Sequence, residues 1–178
     1  MSDDQRRTWR SYESPLGGLT LTSGPRGLDG LFFDGRAPAL DEADHRPEQF
    51  AEAVDQLGEY FAGIRRSFAL ELDLDAGTPF QRDVWRQLQG IPYGQTISYT
   101  ELANRLGRPD RVRAAGAAVG RNPLPIIVPC HRVIGADGKL TGYLGGLHRK
   151  QALLDSEAAV RAGRGSSGQF GPRQLALL

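Results

Sequence analysis

Apolar and polar positions along the chain change their period several times, and each change predicts an element. Leu19-Thr20-Leu21-Thr22 alternates as a half-buried strand does, and Gly30-Leu31-Phe32-Phe33 returns after the turn residues Gly24-Pro25-Arg26-Gly27. This is the pattern of a hairpin. From Pro47 to Ala62 the residues Phe50, Val54, Leu57 and Phe61 recur at helical spacing until Gly63, which predicts an amphipathic helix. Phe68, Leu70, Leu72 and Leu74 then alternate with Ala69, Glu71 and Asp73, the signature of another half-buried strand.

A second block starts at Thr78-Pro79-Phe80-Gln81, where Thr78 can cap a helix, Pro79 suits its first position and Gln81 completes a capping box. Its apolar face is Phe80, Val84, Trp85 and Leu88, and Ile91-Pro92-Tyr93-Gly94 stops it. Ser98-Tyr99-Thr100-Glu101 reads as a second capping box, opening a short helix that Gly107 ends. Another short helix, Arg111 to Arg121, is stopped by Asn122-Pro123, so the pair predicts a helix-turn-helix. Positions 114 to 118 of that helix are all Ala or Gly, with Arg111, Arg113 and Arg121 around them. Such a surface lets a backbone approach DNA closely while arginines hold phosphates or enter the base stack; close helix packing inside the protein explains small residues equally well.

Ile126-Ile127-Val128 reads as a buried strand running into Pro129, and Cys130-His131 stands where it breaks. A lone cysteine is commonly an inert small hydrophobe, or, beside a histidine, a nucleophile. Adjacent side chains of a regular strand point to opposite faces, so activation of Cys130 by His131 needs a broken strand or a bridging water. From about Ala159 the chain becomes rich in Gly, Ser and Arg and reads as a flexible tail.

Composition narrows the choice. The chain has 178 residues, 39% hydrophobic and 24% charged, an ordinary globular balance. No apolar run reaches the ~18 to 20 residues of a membrane span, and the charged start MSDDQRRTWRSYE lacks a hydrophobic signal segment, so a cytoplasmic protein without membrane attachment is expected. A single cysteine excludes an internal disulfide, and the scattered His45, His131 and His148 argue against a structural metal site. The net charge of +1 hides a division: residues 1–77 carry −7 and residues 78–178 carry +8. Only Lys139 and Lys150 among the basic residues are lysines, and arginine forks suit phosphate, so the second half is suited to a polyanion; mutual attraction between the halves is the other reading.

Taken together, Pro129-Cys130-His131-Arg132-Val133, Tyr143-Leu144-Gly145-Gly146 and Leu153-Leu154-Asp155-Ser156-Glu157 resemble the O6-alkylguanine-DNA alkyltransferases, or methylated-DNA-protein-cysteine methyltransferases. Ser98-Tyr99, Arg113-Ala114-Ala115-Gly116 and Asn122-Pro123 stand at the family's distances, and the similarity spans about Pro79 to Glu157, more weakly the first block.

The resemblance implies an α+β protein: a small N-terminal domain with an antiparallel sheet (1–77), a mostly helical catalytic and DNA-binding domain with the helix-turn-helix (78–158), and the tail (159–178). It implies a single-turnover enzyme that flips O6-alkylguanine, or O4-alkylthymine, out of double-stranded DNA through the minor groove and takes the alkyl group irreversibly onto a cysteine. By motif position Cys130 is the acceptor, His131 is linked to it through water, and Glu157 orients the histidine. Tyr99 meets the flipped nucleotide and helps protonate the leaving base, Asn122 braces the active-site turn, and Arg113 fills the space the base vacates. Ala114, Ala115, Gly116, Arg111 and Arg121 complete the DNA face, and Pro125, Val133, Tyr143 and Leu144 border the base pocket. No cofactor or metal is implied, and a monomer is expected, with cooperative binding on DNA left open. Leu144 departs from the small residue the family commonly carries there, which implies a narrower pocket.

The chemistry agrees with the implied roles. An alkyl ether carbon is a poor electrophile, so the sulfur must lose its proton to a base such as His131 held by Glu157. The leaving guanine needs a proton, which a tyrosine hydroxyl can deliver. Two alternatives stay distinct: a damage sensor that holds the lesion without reacting, although such relatives replace the cysteine, and a cysteine hydrolase, which turns over repeatedly.

Overall fold

The computed structural model describes residues 7–164. Strands β1 (Thr8–Ser14), β2 (Gly17–Gly24) and β3 (Gly27–Phe33) form an antiparallel meander in that order. Leu19, Leu21, Leu31 and Phe33 line its inner face, and helix α1 (Ala51–Phe61), entered through a 3₁₀ turn at Pro47–Phe50, adds Phe50, Ala53, Leu57, Tyr60 and Phe61 to the same core. The β2–β3 hairpin is where the alternation predicts it. The sequence pattern predicts no strand at β1, because Trp9-Arg10-Ser11-Tyr12-Glu13 shows little burial contrast along an edge strand.

The alternating stretch 68–74 is extended but is not a strand of the sheet. Only Leu28 and Leu72 pair, with Leu28 N–H donating to Glu71 O at 2.9 Å and Asp73 N–H to Leu28 O at 2.7 Å. Its leucines still turn inward, so burial produced the alternation without a ladder to accompany it.

Helix α2 (Pro79–Gln89) has the complete capping box, with Thr78 and Gln81 each bonding the other's backbone N–H. A short parallel pair, β4 (Ile97–Ser98) with β5 (Val133–Ile134), flanks helices α3 (Tyr99–Arg105) and α4 (Val112–Val119). At α3 only half of the expected box forms: Ser98 caps Glu101 N–H at 3.0 Å, while the Glu101 carboxylate pairs with Arg105 instead. Gly107, at φ +68°, supplies the left-handed turn between α3 and α4 that a side chain would resist. Helix α5 (Leu147–Arg161) continues through Ala159 to Arg161, three residues into the stretch expected to be tail, and the rest of that tail from residue 165 lies outside the described residues.

Residues 126–128 are not a strand either. Ile126 has φ +76°, a left-handed conformation that strains a β-branched residue and forbids an extended run. The segment folds as a turn closed by Val128 N–H on Leu124 O at 2.8 Å, followed by a 3₁₀ turn at Cys130–Arg132. The two blocks are joined directly: Leu31 N–H donates to Pro123 O at 2.8 Å, Arg149 ion-pairs with Asp34, and Arg36 donates to Leu144 O at 2.7 Å. No helix among the described residues is long and apolar enough to cross a membrane.

Candidate active site

Asn122 builds the turn that presents the cysteine. Its amide nitrogen donates to Val128 O at 2.8 Å and its oxygen accepts from Leu124 N–H at 3.0 Å, so one buried side chain spans the loop containing strained Ile126. Cys130 follows at the start of the 3₁₀ turn, 4% exposed. Because the backbone curls here rather than extending, Cys130 and His131 are free of the strand's opposite-face geometry.

His131 is fully buried, and its Nε2 lies 2.9 Å from Glu157 Oε1. An ionised carboxylate only accepts, so Nε2 carries the proton and Nδ1 keeps its lone pair; Nδ1 has no hydrogen-bond partner in the protein. Glu157 comes from the middle of α5 and is also fully buried. Arg132 Nη2 donates to its Oε1 at 2.8 Å, Arg132 Nε to Oε2 at 2.9 Å, and Gly94 N–H to Oε2 at 2.9 Å. Burial pushes the Glu157 pKa up, but His131 and Arg132 outweigh it and hold the carboxyl well below the usual carboxylate range. Burial lowers the His131 pKa, opposed by Glu157.

The thiol departs from the expectation of ready ionisation. Burial raises Cys130 to about 11, against the pull of the Asn122 hydrogen bond and the Lys150 charge. At pH 7 the thiol is therefore mostly protonated. Lys150, buried and lowered to about 8 chiefly by desolvation, donates to Val133 O at 2.7 Å and Thr141 O at 2.9 Å. It thereby ties α5 to both sides of the 134–141 loop.

A groove of about 570 Å³ is lined by Tyr99, Val112, Arg113, Gly116, Tyr143 and Leu144, among others. Tyr99 O–H donates to Thr141 O at 3.3 Å, and Tyr143 has a buried hydroxyl without a partner. Burial raises both phenols, and a thiolate at Cys130 raises them further. Gly116 lies against the Tyr99 ring, where an added Cβ would sit 3.6 Å from it. Pro125 and Val133, expected at the pocket border, are buried and do not line this groove; Val133 is engaged in the β4–β5 pair.

Helix α4 divides its small residues between the two readings left open above. Ala115 and Ala118 face inward, and Trp85 Nε1 donates to Ala118 O at 2.9 Å, so these two serve close packing. Ala115 is therefore not part of an outer face. Arg111, Arg113, Ala114, Ala117 and Arg121 are exposed.

Three members of the buried cluster are not among the expected site residues, Tyr60, Arg132 and Lys150, although Arg132 stands inside the Pro129–Val133 motif. Tyr60 O–H donates to Glu157 Oε1 at 2.7 Å. Its only trace in the sequence is its place on the inward face of α1, three residues past Leu57, where a buried tyrosine requires a partner for its hydroxyl.

Residues 79–159 match the family model described as "6-O-methylguanine DNA methyltransferase, DNA binding domain", and residues 8–74 match the corresponding "ribonuclease-like domain". The chain is 52% identical over 151 residues to the methylated-DNA-protein-cysteine methyltransferase of Mycolicibacterium paratuberculosis, covering 84% of this chain and 91% of that relative. Mycobacterium tuberculosis OGT, solved in complex with DNA, is similar with a TM-score of 0.78 and 48% identity, over 86% of this chain and 94% of that one. The O6-methylguanine-DNA methyltransferase of Pyrococcus kodakaraensis is similar with a TM-score of 0.64 and 26% identity, over 84% and 98%. With both halves matched in order and about half of the aligned positions identical, the chain belongs to the 6-O-methylguanine DNA methyltransferase family.

Proposed function

We propose that this chain is a DNA repair enzyme, a methylated-DNA-protein-cysteine S-methyltransferase, that moves the alkyl group of O6-alkylguanine in duplex DNA onto its own Cys130. The observation that carries this reading is the buried thiol beside an imidazole whose Nε2–H is committed to Glu157, so that Nδ1 is the base available to sulfur. Tyr99, Arg113 and Tyr143 line the groove where the base enters.

The outward face of α4 docks in the minor groove, with Arg111 and Arg121 near phosphates and Ala114 and Gly116 allowing close approach. The damaged guanine swings out, at a cost of a few kcal/mol of stacking, and Arg113 occupies the gap. The Cys130 proton passes to His131 Nδ1 through one bridging water, and Glu157 stabilises the imidazolium that forms. Sulfur attacks the alkyl carbon, a C–S bond forms, and the C–O6 bond breaks with its electron pair going to guanine. Tyr99 delivers a proton to the leaving base and is reprotonated from the relay. The balance closes on one sulfur, one carbon and one proton, and the thioether has no return path, so each molecule reacts once. O4-alkylthymine, with the same kind of ether carbon, is a second substrate.

The high thiol pKa fits this scheme. A sulfur protonated at rest resists stray electrophiles, and the relay supplies the base that ionises it. The test is intact mass after incubation with an O6-methylguanine duplex: one methyl adduct on Cys130 is expected, and none on Cys130→Ser. Tight binding without an adduct replaces this reading with a damage sensor, and repeated turnover replaces it with a hydrolase.

A further inference from the structure

The relay at Cys130 is drawn from the second half of the chain, yet one of its hydrogen bonds is supplied by the first. Tyr60 lies on α1, packed by Phe61, Phe68 and Tyr93, and it is buried to 2% exposure. Its hydroxyl donates to Glu157 Oε1 at 2.7 Å, the same oxygen that receives His131 Nε2–H, and stands 3.5 Å from Nε2 itself. The three groups form a closed triangle across a separation of 97 positions between Tyr60 and Glu157.

We propose that Tyr60 is a positioning residue of the alkyl-transfer site, through which the N-terminal block sets the basicity of the His131–Glu157 pair. The proposal rests on the transfer reading given above. A buried phenol pointing its O–H at a carboxylate removes part of the carboxylate's negative potential, as any hydrogen-bond donor does. Here the phenol is locked as a donor, because burial and Glu157 both raise its pKa well above the ordinary value. The other charged and titratable groups facing Glu157 are His131 and Arg132 from the 3₁₀ turn, with Tyr93 and Tyr143 alongside; Gly94 N–H completes its hydrogen bonds and Lys150 acts on His131 from α5 itself. None of these replaces the phenol: Arg132 already directs its donors to both carboxylate oxygens and to Ile91 O at 2.7 Å.

Loss of the donor has a definite sign. With less positive potential on Glu157, the imidazolium and the thiol both hold their protons more tightly, and the pH profile of transfer moves toward alkaline pH. Tyr60→Phe keeps the ring and removes only the donor. With an O6-methylguanine duplex, the acid limb of its transfer profile, where a protonated His131 cannot take the Cys130 proton, is expected to move toward alkaline pH, and above that limb the more basic imidazole leaves the rate no lower than that of the wild type. Any deficit is thus confined to acid pH and absent by pH 9. Because Cys130 is the sole cysteine, thiolate absorbance against pH reads the same shift without DNA. Should Tyr60→Phe fold poorly, a difluorotyrosine at position 60, a stronger donor on an intact ring, is expected to move both curves toward acid pH. Unshifted curves, whether or not the rate falls, overturn the proposal. If the wild-type protein acquires no adduct on Cys130, it is the transfer reading that fails, and the two failures are told apart by that single control.

Discussion

Leu144 sits on the rim of the groove, its side chain 43% exposed and its carbonyl held by Arg36. The backbone here is anchored, so in the proposed pocket it is the side chain that can change the room for a large alkyl group. Leu144→Ser is expected to speed reaction with benzylguanine more than with methylguanine; equal gains on both would remove the side chain from substrate selection. Cys130 and His131 were legible in the sequence because a solitary cysteine beside a histidine at a proline-broken apolar run is chemically conspicuous. Glu157 was reached only through the family's motif spacing, since nothing local distinguishes it from a surface glutamate on a helix. Tyr60 and Lys150 were not legible: each acts through partners that only the fold brings near, and each sits at a position where a helix's buried face accounts for it.

Helix α4 is exposed along Arg113, Ala114 and Ala117 and buried along Ala115 and Ala118, so its composition answers to two neighbours at once. Arg113→Ala removes a side chain from the groove without touching Cys130, His131 or Glu157. If the arginine fills the gap left by the base, as proposed, repair of duplex DNA should weaken while reaction with the free alkylated base is largely kept. Equal losses on both substrates would place it in the transfer step. The elements most faithfully foretold by sequence are those with end signals of their own, such as α2 with its Thr78–Gln81 box and α3 with Ser98. Stretches 68–74 and 126–128 misled because alternation and apolarity report burial, whereas a strand also needs a partner edge and a permissive backbone. Ile126 at φ +76° lacks the second, and 68–74 finds only the Leu28 bridge.

Across the molecule, acidic first half and basic second half meet through Arg149–Asp34, Arg36–Leu144 and Tyr60–Glu157. Of these contacts only Arg149–Asp34 joins an acid of the first half to a base of the second, and Arg111, Arg113 and Arg121 around α4 lie exposed. The buried core between the halves also sets the response to acid. Glu157 and His131 both have lowered pKa values in the fold, so each contributes stability above its unfolded pKa and loses it as pH falls. Thermal melting should decline below about pH 6.5, where free imidazole protonates, and more steeply below about 4.3, where free glutamate does. A melting temperature constant from pH 7 to pH 4 would show that the buried pair does not couple to folding.

Glu157 lies 27 positions after Cys130, on the last helix of the described chain. A polypeptide still emerging from the ribosome, with that helix not yet released, already exposes its sulfur but has no carboxylate to orient the imidazole. The proposed relay is therefore assembled only once this helix has packed, however early the cysteine is made.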